Sequence, residues 1–227
     1  KVDGSSIGAI ASYTFGTVTA AHTIEATFAI DTYTITATAG AGGSISPSGV
    51  VTVNFGADQA FAITPDVGHH LVDVKVDGGS IGAIAGYTFS TVTAAHTIEA
   101  TFAIDTYTIT ATAGAGGSIS PSGDIAVNFG ADQAFTIAPS TGYHIASVLV
   151  DGASVGPVGS YTFSGVTAGH TIAASFAANT FTITASSGPG GAISPSGDVG
   201  VSEGEDKTFT ITPATGYHIA DVLVDGA

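Results

Sequence analysis

The chain has 227 residues, 44% apolar and 9% charged, with no Cys, Met or Trp, so a disulfide framework is excluded. Three Lys/Arg against 18 Asp/Glu give a net charge of −15, which excludes the clustered cations that bind nucleic-acid backbones or anionic membrane surfaces. No stretch reaches the roughly 18 consecutive apolar residues of a membrane-spanning helix, and the apolar residues, rich in Val, Ile, Phe and Tyr, sit at strand spacing rather than in a disordered composition.

Residues 1–32 repeat the text of residues 75–106 with changes only at positions 5, 12 and 16. YTITATAGAGGSISPSG begins at Tyr33 and again at Tyr107, and FTITASSGPGGAISPSG begins at Phe181, a period of 74 residues without insertion or deletion. The expected organisation is therefore 1–32 as the C-terminal part of a repeat, 33–106 and 107–180 as complete repeats, and 181–227 as the N-terminal part of another. Opening mid-repeat at Lys1, the chain reads as three periods of a longer protein.

Within 33–106, Tyr33, Ile35, Ala37 and Ala39 alternate with Thr34, Thr36 and Thr38, which predicts a half-buried strand with its threonines outward. Gly40–Gly43 breaks it, Ser44–Ser46 is a short return strand, and Pro47-Ser48-Gly49 is a turn. Val51, Val53 and Phe55 predict a strand, as do Phe61 and Ile63 up to Pro65. The run Leu71–Val76 is a strand closed by Asp77-Gly78, a hairpin-turn signal. A short strand is expected at Ile81 and Ile84, another at Tyr87 to Val92, and the last at Ile98, Ala100 and Phe102. Seven or eight short strands and no helix predict an all-β fold of tandem small antiparallel β-sandwiches, Ig-like or β-grasp-like. A β-solenoid would need a shorter period of about 20–30 residues. Phe102 and Tyr107 are separated only by Ala103-Ile104-Asp105-Thr106, and the joints carry Ile30, Ile104 and Ala178 instead of a Gly/Ser or Pro linker. Such joints predict a stiff rod of units about 30–40 Å long.

The motifs GSISPSG, VNFG, GYHI and VLVDG, at Gly117–Gly123, Val127–Gly130, Gly142–Ile145 and Val148–Gly152, together with Tyr161–Phe176, resemble the divergent InlB B-repeat family along the whole chain. The resemblance implies an extracellular spacer or adhesive stalk of a bacterial surface or secreted protein. Ordinary B-repeats resemble a β-grasp and carry a Trp after the GY-type motif; this chain has no Trp, and Gly79–Gly86 is Gly-rich.

Two histidine series recur, His70/His144/His218 and His22/His96/His170. They lack HxH or HxxH spacing, and the adjacent pair His69-His70 occurs in one copy, so edge roles in loops and strands are expected rather than a metal site. Asp3, Asp77, Asp151 and Asp225 precede Gly in turns that favour a residue tolerant of left-handed backbone. Calcium needs several converging oxygens; Asp58-Gln59, Asp132-Gln133 and Glu203, Glu205, Asp206 are the candidate contributors, without a DxDxDG loop. The threonine rows Thr34/Thr36/Thr38 and Thr108/Thr110/Thr112 read as solvent faces, with ice or O-linked sugar as the special alternatives. Lys75 gives way to Leu149 and Leu223, so the array does not depend on a Lys–Asn isopeptide link. Tyr13, Tyr87 and Tyr161 fall at strand positions that favour burial rather than a sugar platform. No GxSxG, Cys nucleophile or recurring acidic pair is present, so no catalytic, cofactor or metal residue is assigned and an enzyme is not expected. The expected partners are neighbouring repeats of the same protein, with identical chains in a filament sharing edge strands, or a ligand or glycan held by an adhesin module, as the alternatives.

Overall fold

The computed structural model describes residues 1–226; Ala227, the last residue of the expected 181–227 part, lies outside the described residues. The first copy forms β1 (Thr32–Ala39), β2 (Gly43–Ser46), β3 (Gly49–Asn54), β4 (Gln59–Pro65), β5 (His69–Val76), β6 (Gly79–Ser80), β7 (Gly86–Phe89) and β8 (His96–Ile104). The second repeats them as β9 (Thr106–Ala113), β10 (Gly117–Ser120), β11 (Gly123–Asn128), β12 (Gln133–Pro139), β13 (Tyr143–Val150), β14 (Ala153–Gly156), β15 (Ser160–Phe163) and β16 (His170–Ala178). β17 (Thr180–Ala185), β18 (Gly191–Ser194), β19 (Gly197–Ser202) and β20 (Thr210–Pro213) follow. No helix occurs among the described residues. The chain forms two compact units, Lys1–Ala103 and Ile104 onward.

In each unit a five-stranded sheet faces a three-stranded one: β3-β1-β8-β5-β6 over β2-β4-β7, and β11-β9-β16-β13-β14 over β10-β12-β15. The alternation read from the sequence sets the faces. Ile35 and Ala37 of β1 point into the core while Thr34 and Thr38 are exposed. Ile35, Val53, Val74 and Ile98 from the larger sheet meet Ile45, Phe61, Ile63 and Phe89 from the smaller one. Burying each large side chain of this kind contributes about 1.5–3 kcal/mol. The second unit repeats this core with Ile109, Ile119, Val127, Phe135, Ile137, Val148, Phe163 and Ile172.

The sandwich matches the expected fold class and adds one detail, a parallel pair. β1 runs parallel to β8, with Ala37 opposite Ile98, and antiparallel to β3, with Ile35 opposite Val51. β8 enters from β7 in the facing sheet, through residues 90–95, rather than by a hairpin from a sheet neighbour, so hairpin geometry does not dictate its direction. First and last strands side by side in the middle of a mixed sheet follow the β-grasp-like alternative, with the three-stranded sheet as the covering layer. The short strand expected at Ile81 and Ile84 shifts: β6 is only Gly79–Ser80, directly after the turn. Beyond it the pairing is irregular, with Ile81 N–H donating to Val74 O at 2.8 Å and Val74 N–H to Gly82 O at 3.0 Å.

Two glycines at the start of β2 admit aromatic rings. A Cβ on Gly42, which has φ +91°, would lie 2.4 Å from the His69 ring, and one on Gly43 would lie 2.4 Å from Phe102. Gly116 and Gly117 receive Tyr143 and Phe176 in the same way. These close approaches, and not turn formation alone, fix the Gly-Gly pair.

Residues 1–31 hold only isolated bridges, Val2 with Ile24 and Val2 with Ser5. Residues 181–226 form two two-stranded pairs, β17-β19 and β18-β20.

Candidate functional site: a repeated aspartate–histidine clamp

The Asp-Gly turns and the second histidine series, separate features in the sequence, meet in the structure. Asp77 and Gly78 have φ of +50° and +82°, as a two-residue turn between β5 and β6 requires. From that turn the Asp77 side chain reaches the start of β8. His96 Nδ1 donates to Asp77 Oδ2 at 2.7 Å, and the Thr97 backbone N–H donates to Oδ1 at 2.8 Å. The Asp77 N–H in turn donates to Thr97 O at 3.0 Å. An ionised carboxylate only accepts, so the proton sits on the imidazole nitrogen. The His96 ring centroid lies 4.9 Å from that of Phe89, which completes the clamp.

Asp151 repeats it with His170 at 2.7 Å and Thr171 at 2.8 Å, and Asp3 with His22 and Thr23, both at 2.9 Å. The His96 N–H first, then the Thr97 N–H, holds the Asp77 carboxyl below the ordinary aspartate value. For Asp151 the Thr171 N–H leads and His170 follows, and for Asp3 Thr23 leads and His22 follows. The sequence did hold a signal for this pairing: each Asp precedes its His by the same 19 residues in all three copies.

The calcium candidates turn to other partners. Asp58 Oδ1 accepts the Thr91 N–H at 2.7 Å and Asp132 Oδ1 the Gly165 N–H at 2.7 Å, each tying the start of a β4-type strand to the loop before the last strand. Glu203 Oε2 accepts from Asn179 Nδ2 at 2.7 Å, whose Oδ1 is 2.9 Å from His144 Nδ1; Glu205 and Asp206 are exposed beside it. Among the described residues no group of three or more His, Cys, Asp or Glu is placed to hold a metal ion. His70 and His218 are exposed, on β5 and on its counterpart segment. Thr110 Oγ1 donates to Asp124 at 2.7 Å, and Thr34, Thr38, Thr108 and Thr112 are exposed. Tyr87 and Tyr161 are half-buried, edge-on to Phe89 and Phe163 at 4.9 Å, whereas Tyr13 is exposed. Lys75 is exposed on β5.

Chemically, the recurring polar groups tie turns to strands. Fold and site together define a tandem all-β repeat protein. The family model of the divergent InlB B-repeat domain matches residues 33–106 and 107–180, and the chain belongs to that family. The family is that of a tandem repeat module of bacterial surface proteins and is not typically enzymatic. No curated protein matches the chain. Among the described residues no helix is long and apolar enough to cross a membrane.

Proposed function

We propose that this chain is a non-enzymatic structural segment of an extracellular stalk or fibre of a bacterial surface protein, in which the number of units sets the reach. The observation that carries the reading is the use of the repeated polar residues: Asp77, His96 and Thr97, with Asp151, His170 and Thr171, tie the Asp-Gly turn of each unit to the start of its last strand. The junction supports it. β8 ends at Ile104 and β9 begins at Thr106, so Asp105 is the whole connection. So short a tether restricts the bending that a Gly/Ser linker would permit.

Proteins carrying two, four and six complete units test this by small-angle scattering and negative-stain imaging. The longest dimension is expected to grow in proportion to unit number, by about 30–40 Å per unit. Growth as the square root of unit number, the signature of a flexible chain, would overturn the stalk reading.

A further inference from the structure

A strand at the end of a sheet presents a row of unpaired backbone groups, and folded proteins blunt such edges with charge, brevity or irregularity. In the first unit three of the four sheet edges are short. β2 and β7 have four residues each, and β6 has two, with irregular pairing beyond it. β3 has six, Gly49–Asn54, and among the described residues β1 is its one strand neighbour. β11 ends its own sheet in the same way with a complete copy before it in the sequence, so the open edge belongs to the unit.

The ladder fixes which backbone groups point outward. Phe55 N–H donates to Asp31 O at 2.8 Å, extending the register in which Thr32 lies opposite Asn54. Alternation along an antiparallel pair then turns the groups of Gly49, Val51 and Val53 toward β1 and those of Val50 and Thr52 away from it.

The copies differ in charge at one position of this strand. Asp124 and Asp198 stand where the first copy has Val50. Each carboxylate accepts from the threonine opposite it, Thr110 or Thr184, at 2.7 Å. Val50 lies opposite Thr36 and is 68% exposed. From Gly49 to Gly56 the text GVVTVNFG carries no charge and no proline, and its Val-Val-Thr-Val core favours a strand.

We propose that β3 pairs antiparallel with β3 of a second copy of this chain, about a two-fold axis at Val51. The axis makes the edge its own complement. Val50 lies opposite Thr52 of the second copy, and Thr52 opposite Val50 of the second copy, each pair exchanging two backbone hydrogen bonds. This parity keeps both core faces on one side, so the two five-stranded sheets join into one. A second copy fits a chain of net charge −15, because two such chains meet at β3 without opposing carboxylates. The same pairing at β11 would bring two Asp124 side chains together on one face, which like-charge repulsion disfavours. The joint closes as a dimer, since it uses the same edge on both copies. It requires only this edge and does not rest on the stalk reading.

Sedimentation velocity on the 227-residue chain over about a hundredfold range of concentration tests the proposal, with growth to twice 22.1 kDa expected. Val50→Asp gives β3 the residue that β11 carries, and is expected to raise the dissociation constant at least about tenfold. Val50→Thr keeps the strand uncharged and is expected to stay within about threefold of the parent. Because Val50 is exposed, the urea transition of dilute, monomeric Val50→Asp should match that of the parent, which separates lost pairing from lost folding. The register has its own readout, since the chain has no Cys. Val51→Cys is expected to oxidise to a disulfide-linked dimer faster than Asn54→Cys, because position 51 faces itself at the axis. A parent chain that stays monomeric throughout overturns the proposal, as do dimers that persist unchanged in Val50→Asp. An equal loss in Val50→Thr overturns the role given to charge, and equal oxidation of the two Cys variants overturns the two-fold register.

Discussion

At the scale of the residue, Asp77 meets two requirements at once. Its backbone takes a φ of +50°, which alanine adopts at a cost of about 1–2 kcal/mol, and its carboxylate accepts from His96 and Thr97. Asp77→Ala removes both and is expected to destabilise the first unit by about 2–3 kcal/mol in urea unfolding. Asp77→Asn keeps a turn-tolerant residue and one acceptor, so its loss is expected to be smaller, about 0.5–1.5 kcal/mol. Proton linkage gives a second reading of the same bond. The folded carboxyls of Asp77 and Asp151 lie below the ordinary value of 3.8, so unfolding takes up protons as the solution is acidified. Their stabilisation is complete above that value and is lost as pH falls through the lower folded one. The urea midpoint is therefore expected to drop between about pH 4 and pH 2, and the Asp77→Asn, Asp151→Asn double variant to show a shallower drop. An acid limb of equal slope in both proteins would remove the clamp from the account.

At the scale of the element, the start of β2 depends on an absent Cβ. Gly43→Ala would place a methyl 2.4 Å from the Phe102 ring, which must move or push the strand away. An expected loss of about 1–3 kcal/mol follows from such overpacking. Combining Gly43→Ala with Phe102→Ala removes the collision, so a double-mutant cycle in urea should show coupling of about 0.5–3 kcal/mol; additive losses would place the two residues out of contact. The strands themselves were legible because period-two alternation states which side chains face inward: Ile35 and Ala37 in, Thr34 and Thr38 out. Alternation says nothing about which strand lies next to which. The parallel β1–β8 pair joins strands that are far apart in sequence, and no local turn marks it. The same limit separated the clamp into two series, since Asp77 reads as a turn residue and His96 as a strand-edge residue until the sheet brings them within 2.7 Å. Gly43 read as a strand breaker for an equally local reason, because the ring that needs its missing side chain comes from β8.

At the scale of the molecule, the two buried clusters are separate and built from corresponding residues, Ile35 to Ala100 in one and Ile109 to Ala174 in the other. Stability in an array of this kind is a sum of unit terms and neighbour terms, and their ratio decides whether units melt together. Ile98 and Ile172 are fully buried at corresponding positions in the central strands β8 and β16. Truncating either to alanine costs about 2–5 kcal/mol. A unit of this size shifts its midpoint by about 4–8 °C per kcal/mol, so the weakened unit should melt at least about 8 °C early. Calorimetry of Ile98→Ala is then expected to split the transition into a lowered part and one at the parent temperature, with Ile172→Ala giving the converse. The double variant should return to a single lowered transition, since both cores are then equally weakened. An unsplit transition at an intermediate temperature in the single variants would mean that neighbour terms exceed the loss of one core side chain. The array would then unfold as one cooperative block rather than unit by unit.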